Sequence, residues 1–143
     1  MNIKKITAKN KTKLDLLTRR FGIVFIVAFG SQISGKTHPE SDLDIGVISQ
    51  KKITGKDFLN LFASLQDIFR GFNIHLNLLN KSNIIFRHKV ISEGKFIFGD
   101  RKYYSHYKNL VHKIYLTDMP KITQYHDKIL NNSQKLLKES IYG

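Results

Sequence analysis

Cysteine is absent from this 143-residue sequence, which excludes disulfide scaffolds, thiolate zinc sites and cysteine nucleophiles. Proline occurs only twice, and no proline-, glycine- or serine-rich linker divides the chain. Long apolar runs are also missing, since the longest, residues 23–29, falls far short of the ~20 residues of a membrane helix. Residues 1–20 have no apolar core of the kind that a signal peptide carries. These absences predict a cytoplasmic protein with no membrane partner.

Acidic residues are scarce, with 11 Asp and Glu against 24 Lys and Arg, and the formal net charge is +13. Such a charge attracts polyanions, so nucleotides, nucleic acid and acidic partners are candidate ligands. Residues 4–20 carry seven basic side chains and one acid; they could contact nucleic acid, although a solvated helix face explains the same pattern. Three of the few acids, Glu40, Asp42 and Asp44, fall within five residues. Acid concentrated at one place in a basic chain indicates a bound cation.

Hydrophobic patterning predicts an α/β (α+β) fold in a single domain over residues 1–143. Strands are predicted over residues 23–29, 42–48, 73–79 and 95–98. Helices are predicted over residues 10–20, 55–70, 82–93 (with Ser82 as the cap), 101–116 and 121–141. We expect a small mixed β-sheet with helices packed on one face, followed by C-terminal helices that form an extension over residues 101–143.

The segment between the first two strands allows two interpretations, of which the first is a P-loop. Gly30, Gly35, Lys36 and Thr37 match the phosphate-binding pattern G-x-x-x-x-G-K-[ST], and a buried strand precedes them. The context that follows does not fit, because a P-loop lysine opens a long helix and here Pro39 comes two residues after Thr37.

The second interpretation rests on Gly30-Ser31, ten intervening residues, and then Asp42-Leu43-Asp44. Asp42 and Asp44 alternate with apolar residues, so both carboxylates project from one face of a strand, about 7 Å apart along the backbone. Magnesium suits such a pair, since this hard cation takes one or two carboxylates together with substrate phosphate oxygens. The pattern resembles the signature of the minimal nucleotidyltransferases of the DNA polymerase β-like superfamily, and the resemblance covers residues 21–100.

The resemblance implies a nucleotidyltransferase fold with its core over residues 21–100. Gly30 and Ser31 would hold the phosphates of a nucleoside triphosphate, and Asp42 and Asp44 would ligate Mg²⁺ or Mn²⁺. The reaction would transfer a nucleoside monophosphate, here AMP from ATP, with release of pyrophosphate. In this family the acceptor is often a tyrosine hydroxyl of a HEPN toxin, so the protein is expected to act as the antitoxin of a HEPN/MNT toxin–antitoxin pair.

One catalytic position departs from the family. Its third active-site strand usually carries a carboxylate that acts as general base, and the resemblance places His75 there, with Asn77 on the same face. No Asp or Glu lies between Asp67 and Glu93. A neutral imidazole can accept a proton near pH 7 but is a poor ligand for magnesium. Two hypotheses stay open: an enzyme that uses His75, and a catalytically degenerate protein that acts by partner binding alone.

Overall fold

A mixed four-stranded sheet organises the protein in the computed structural model, which describes residues 2–30, 33 and 42–142. The strands are β1 (Ile23–Phe29), β2 (Asp42–Ser49), β3 (Asn73–Leu78) and β4 (Lys95–Gly99). Their order across the sheet is β3-β2-β1-β4. β1 runs antiparallel to both of its neighbours, β2 and β4, whereas β2 and β3 are parallel. The predicted mixed sheet is thereby confirmed.

Five helices and one 3₁₀ turn complete the described part of the chain. The helices are α1 (Ile3–Lys9), α2 (Lys11–Phe21), α3 (Gly55–Ile68), α4 (Ile84–Glu93) and α5 (Arg101–Tyr142), and the 3₁₀ turn spans Leu79–Lys81. Thr54 caps α3, because its hydroxyl accepts a hydrogen bond from the Asp57 amide. The cap of α4 is Asn83 rather than Ser82, which instead ends the 3₁₀ turn.

The C-terminal region is one continuous helix and not the two helices expected on either side of Pro120. Proline removes one intrahelical hydrogen bond, but its fixed φ is itself a helical value. No glycine lies between residues 101 and 142 to end the helix. Pro120 is exposed in α5, so the carbonyl that it leaves without a backbone donor can bond to water. A single proline is therefore insufficient to divide this segment.

Helices cover both faces of the sheet, which corrects the expectation that they pack on one. On the face that we call the α2 face, α1, α2 and α3 bury alternate side chains of the strands such as Ile26 and Leu43. On the opposite face, here called the α5 face, α4 and α5 bury Phe25, Val27 and Phe29. The reason lies in β1, whose apolar side chains point both ways and would otherwise expose one row to water.

Among the described side chains of α5, only those in its first part belong to the core. Tyr104, Tyr107 and Val111 are buried against the sheet, with the rings of Tyr104 and Tyr107 in edge contact with Phe25. Farther along the helix Leu130 is half exposed. The boundary between a core over residues 21–100 and an extension over 101–143 stays a prediction. No helix in the described part of the chain is both long and apolar enough to span a membrane.

Candidate active site

Asp42 and Asp44 lie at the start of β2 and share one face of the sheet. Between and after them Leu43, Ile45 and Val47 are fully buried on the α2 face, which fixes the register of the strand. The two aspartates consequently project on the α5 face, and both are partly exposed. The alternation seen in the sequence is therefore the alternation of the folded strand.

His75 of β3 joins this pair through strand pairing. In the parallel register His75 is the partner of Asp44, and Asn73 is the partner of Asp42. The imidazole Nε2 of His75 lies 3.7 Å from Oδ1 of Asp42, and Nδ2 of Asn73 donates a hydrogen bond of 3.2 Å to the same oxygen. Among the described residues no group of three or more His, Cys, Asp or Glu is arranged to hold a metal ion. The protein thus offers a carboxylate pair with one imidazole beside it.

Gly30 brings the end of β1 against this carboxylate pair. Phe29, the last residue of β1, pairs with Asp44, and the chain turns at Gly30 with φ +88°. A Cβ at Gly30 would collide with Oδ2 of Asp44. Glycine is required here both for the left-handed backbone and for the close approach of the carboxylate.

The electrostatics of the site favour a bound cation. Burial raises the pKa of Asp44, and the neighbouring carboxylate of Asp42 raises this pKa further, whereas His75 and Lys89 lower it. The ionised form of Asp44 is therefore less stable than that of an exposed aspartate, and a cation bound beside it would stabilise that form. Lys89, which α4 brings to the α5 face, was not among the expected site residues. Its position depends on how α4 packs across the sheet, which a local sequence pattern does not reveal.

The remaining expected residues fall in the segment between β1 and β2. Ser31 lies outside the described residues, as do Gly35, Lys36 and Thr37 of the P-loop interpretation. In the described part of this segment, the amide of Ile33 donates to the carbonyl of Gly30 at 3.1 Å. β2 begins at Asp42, so only four residues separate it from Thr37, too few for the long helix that follows a P-loop.

Comparison with solved structures identifies similar folds. A chain of a toxin–antitoxin crystal structure with AMP-PNP superposes with a TM-score of 0.68 and 20% identity, covering 85% of this chain and 98% of that chain. A chain of the complex of tri-AMPylated Shewanella oneidensis HEPN toxin with MNT antitoxin superposes with a TM-score of 0.65 and 18% identity, covering 87% of this chain and 98% of that chain. A structure described as a minimal nucleotidyltransferase superposes with a TM-score of 0.54 and 25% identity, covering 66% of this chain and 95% of that chain.

Sequence comparison assigns the family. No curated protein shows significant similarity to the chain. Residues 3–103, which include both aspartates, Gly30 and His75, match the model of the family described as polymerase beta, nucleotidyltransferase. This match covers most of the sequence, and the fold that it implies is the one observed. The chain belongs to the polymerase beta nucleotidyltransferase family.

Proposed function

We propose that the protein is a metal-dependent nucleotidyltransferase that transfers AMP from ATP to a protein hydroxyl, and that its acceptor is a HEPN toxin. The observation that carries this proposal is the convergence of Gly30, Asp42 and Asp44 at one end of the sheet in a member of the family. The similar folds support the acceptor and the nucleotide, since they include a toxin–antitoxin structure with AMP-PNP and a complex of tri-AMPylated HEPN toxin with MNT antitoxin.

The residues present fit a magnesium ion. Asp42 and Asp44 supply two carboxylates on one face of β2. Burial and the like charge of Asp42 raise the pKa of Asp44, and a bound cation would offset their unfavourable effect on the ionised carboxylate. These two side chains would hold the ion. When bound, Mg²⁺ neutralises charge on the triphosphate and helps to orient it for in-line attack. Mn²⁺ binds the same carboxylates and also accepts an imidazole as a ligand more readily than Mg²⁺ does.

The transfer step assigns separate tasks to the remaining groups. An acceptor hydroxyl oxygen forms a bond to the α-phosphorus, the bond from that phosphorus to the β-phosphate oxygen breaks, and pyrophosphate leaves. We assign to His75, which is exposed and lies next to Asp42, the task of accepting the hydroxyl proton. Gly30 keeps the end of β1 free of a side chain, so that the triphosphate can approach the carboxylates.

Two labelled forms of ATP test this proposal. With Mg²⁺ and a HEPN protein as acceptor, label at the α-phosphate should enter the acceptor, whereas label at the γ-phosphate should leave as pyrophosphate. Asp42→Asn and Asp44→Asn should abolish incorporation. Asp15→Asn, which removes an equal charge from an exposed ion pair on α2, is the matched control and should leave incorporation unchanged. Transfer of the γ-label, or retained activity in Asp44→Asn, would refute the proposal.

A second candidate function is neutralisation of the partner by binding alone. It is favoured by His75, which stands opposite Asp44 at the strand position where the family usually has a carboxylate. Under this alternative, neither Mg²⁺ nor Mn²⁺ supports incorporation, and Asp42→Asn still suppresses the toxicity of a co-expressed HEPN protein. Under the enzymatic proposal, the same substitution abolishes both incorporation and suppression.

A further inference from the structure

A groove between α1 and the edge strand β4 combines an apolar floor with a basic rim. It encloses about 380 Å³. Its floor includes Phe96, Ile97 and Phe98 of β4, and its basic residues are Lys4, Lys11 and Arg101. All of these residues lie in the described part of the chain, and none belongs to the carboxylate site on β2.

The rim cations are available to a ligand. Lys4, Lys11 and Arg101 are exposed, and none of them forms a salt bridge with any described residue. The adjacent acid, Asp100, is already engaged, because its carboxylate accepts a hydrogen bond from the Tyr103 amide at the start of α5. The groove therefore presents three basic side chains that form no salt bridge with the described residues.

Arg101 adds a planar group to this charge. Its guanidinium carbon lies 4.5 Å from the centroid of the Phe96 ring, in a cation–π contact at the wall of the groove. The planar guanidinium of an arginine can also stack on a nucleobase. Lysine ammonium groups, in contrast, act as point charges toward phosphates.

We propose that this groove, the α1–β4 groove, binds single-stranded nucleic acid. Phosphates would contact Lys4 and Lys11, while a base would stack on Arg101 and cover the apolar floor. A duplex fits this combination poorly, because its base faces are stacked inside and an apolar floor gains nothing from its phosphates. An acidic protein surface would satisfy the lysines but supplies no base for the guanidinium to stack on.

Fluorescence anisotropy with labelled RNA tests the proposal on the full chain. The probe is a single strand of about 12 nucleotides, within the roughly 4–16 nucleotides that a small domain contacts. Lys4→Gln/Lys11→Gln should weaken its binding about tenfold and lower the slope of log affinity against log salt by about 0.7 per lost phosphate contact. The matched control, Lys52→Gln/Lys56→Gln, removes equal charge from exposed positions outside the groove and should change affinity less than about twofold.

A second comparison isolates the stacking interaction. Arg101→Lys retains the charge but removes the planar group, so it should weaken binding of the single strand and leave binding of an abasic strand of the same length unchanged. Equal losses in the two double variants would show attraction by net charge alone and overturn the proposal. It would also be overturned if the duplex, or polyglutamate, bound as tightly as the single strand.

Discussion

At the residue scale, the closest constraint on the site is the contact between Gly30 and Asp44. Gly30→Ala would place a methyl group where Oδ2 of Asp44 lies, at a backbone φ of +88° that L residues rarely adopt. We expect the carboxylate to be displaced, with a loss of about 1–3 kcal/mol of folding free energy from strain. Metal–nucleotide binding, measured by calorimetry with Mg²⁺ and a non-hydrolysable ATP analogue, should be lost.

Gly55→Ala is the matched control for this substitution. Gly55 is the first residue of α3, and a Cβ there meets nothing within 4 Å. Alanine should stabilise the protein by about 0.4–1 kcal/mol, because it restricts the unfolded chain at no steric cost. Nucleotide binding should be unchanged. If Gly30→Ala bound the analogue as well as Gly55→Ala does, the contact with Asp44 would have no functional role.

Replacing His75 by a carboxylate tests whether the site is otherwise complete. His75→Asp should raise the rate of AMP transfer, because a carboxylate can ligate Mg²⁺ as well as accept the hydroxyl proton, whereas an imidazole is a poor ligand for Mg²⁺. It should also lower the melting temperature in the absence of Mg²⁺, since the new charge would lie beside Asp42, and Mg²⁺ should reverse that loss. His75→Asn is the control, because it has similar polarity and no basic group. No gain with aspartate would indicate that the site lacks more than one group.

Tyr107 lies outside the candidate active site and affects stability alone. Its hydroxyl is buried, and among the described residues it has no hydrogen-bond partner. Removing an unsatisfied buried hydroxyl should be favourable, so Tyr107→Phe should raise the free energy of unfolding by about 1 kcal/mol at pH 7. Tyr103→Phe, at a residue that is 46% exposed, should change it little.

The pH dependence of the same variant follows from linkage. Burial raises the pKa of Tyr107, so above the ordinary value of 10.0 the unfolded chain loses this proton before the folded protein does. The stability linked to the proton is full below that pH and decreases as the pH rises toward the folded-state pKa. Urea unfolding should therefore show the advantage of Tyr107→Phe widening above pH 10. A constant difference would contradict burial as the cause.

How far these residues can be predicted from sequence depends on which interactions place them. Strand alternation, which is a local property, predicted that Asp42 and Asp44 share a face, whereas His75 was assigned to the neighbouring strand by the resemblance to the family. Lys89 was missed because its approach to Asp44 depends on the packing of α4. The unsatisfied hydroxyl of Tyr107 also depends on packing, because which groups surround its oxygen is set by the folded core.

At the scale of elements, β1 explains both what patterning predicted and what it missed. The strand was predicted with its observed bounds, Ile23–Phe29, from an apolar run without alternation. The same run requires cover on both faces, which α2 and α3 supply on one side and α4 and α5 on the other. α1 was missed because a seven-residue helix carries little periodic signal; Asn2 caps it, and Ile3 and Ile6 pack against the core.

Pro120 allows a test of the continuity of α5. Pro120→Ala restores an intrahelical donor and removes a steric conflict at an exposed position, which in a helix interior amounts to about 3 kcal/mol of local helix stability. Amide hydrogen exchange should slow in the turns around residue 120, while exchange in β1 stays unchanged. If the segment were two independent helices, the substitution would not alter exchange on the N-terminal side of position 120.

At the scale of the whole molecule, opposite charges occupy opposite parts of the sheet. The carboxylate pair lies on β2, and the α1–β4 groove lies at the edge strand β4, with β1 between them. The net charge of +13 attracts the phosphates of a nucleotide to the protein as a whole. The carboxylates of Asp42 and Asp44 provide a local negative site for the cation that accompanies those phosphates. Composition predicted the excess of positive charge. The folded sheet adds that the carboxylate pair and the α1–β4 groove are separated by β1.

We expect the fold to require only the first part of α5. Within the described residues, both cores are complete by Val111, and farther along α5 the ring of Tyr115 stacks on the ring of His88. A chain that ends after Leu116 should therefore unfold cooperatively within a few degrees of the full protein, because none of the described side chains that it loses is buried. Tyr104→Ala, which opens a cavity beside Phe25, should instead cost about 3–5 kcal/mol. Thermal unfolding of the two proteins separates a helix that completes the fold from one that extends beyond it, and collapse of the shortened chain would show that α5 is structural along its whole length.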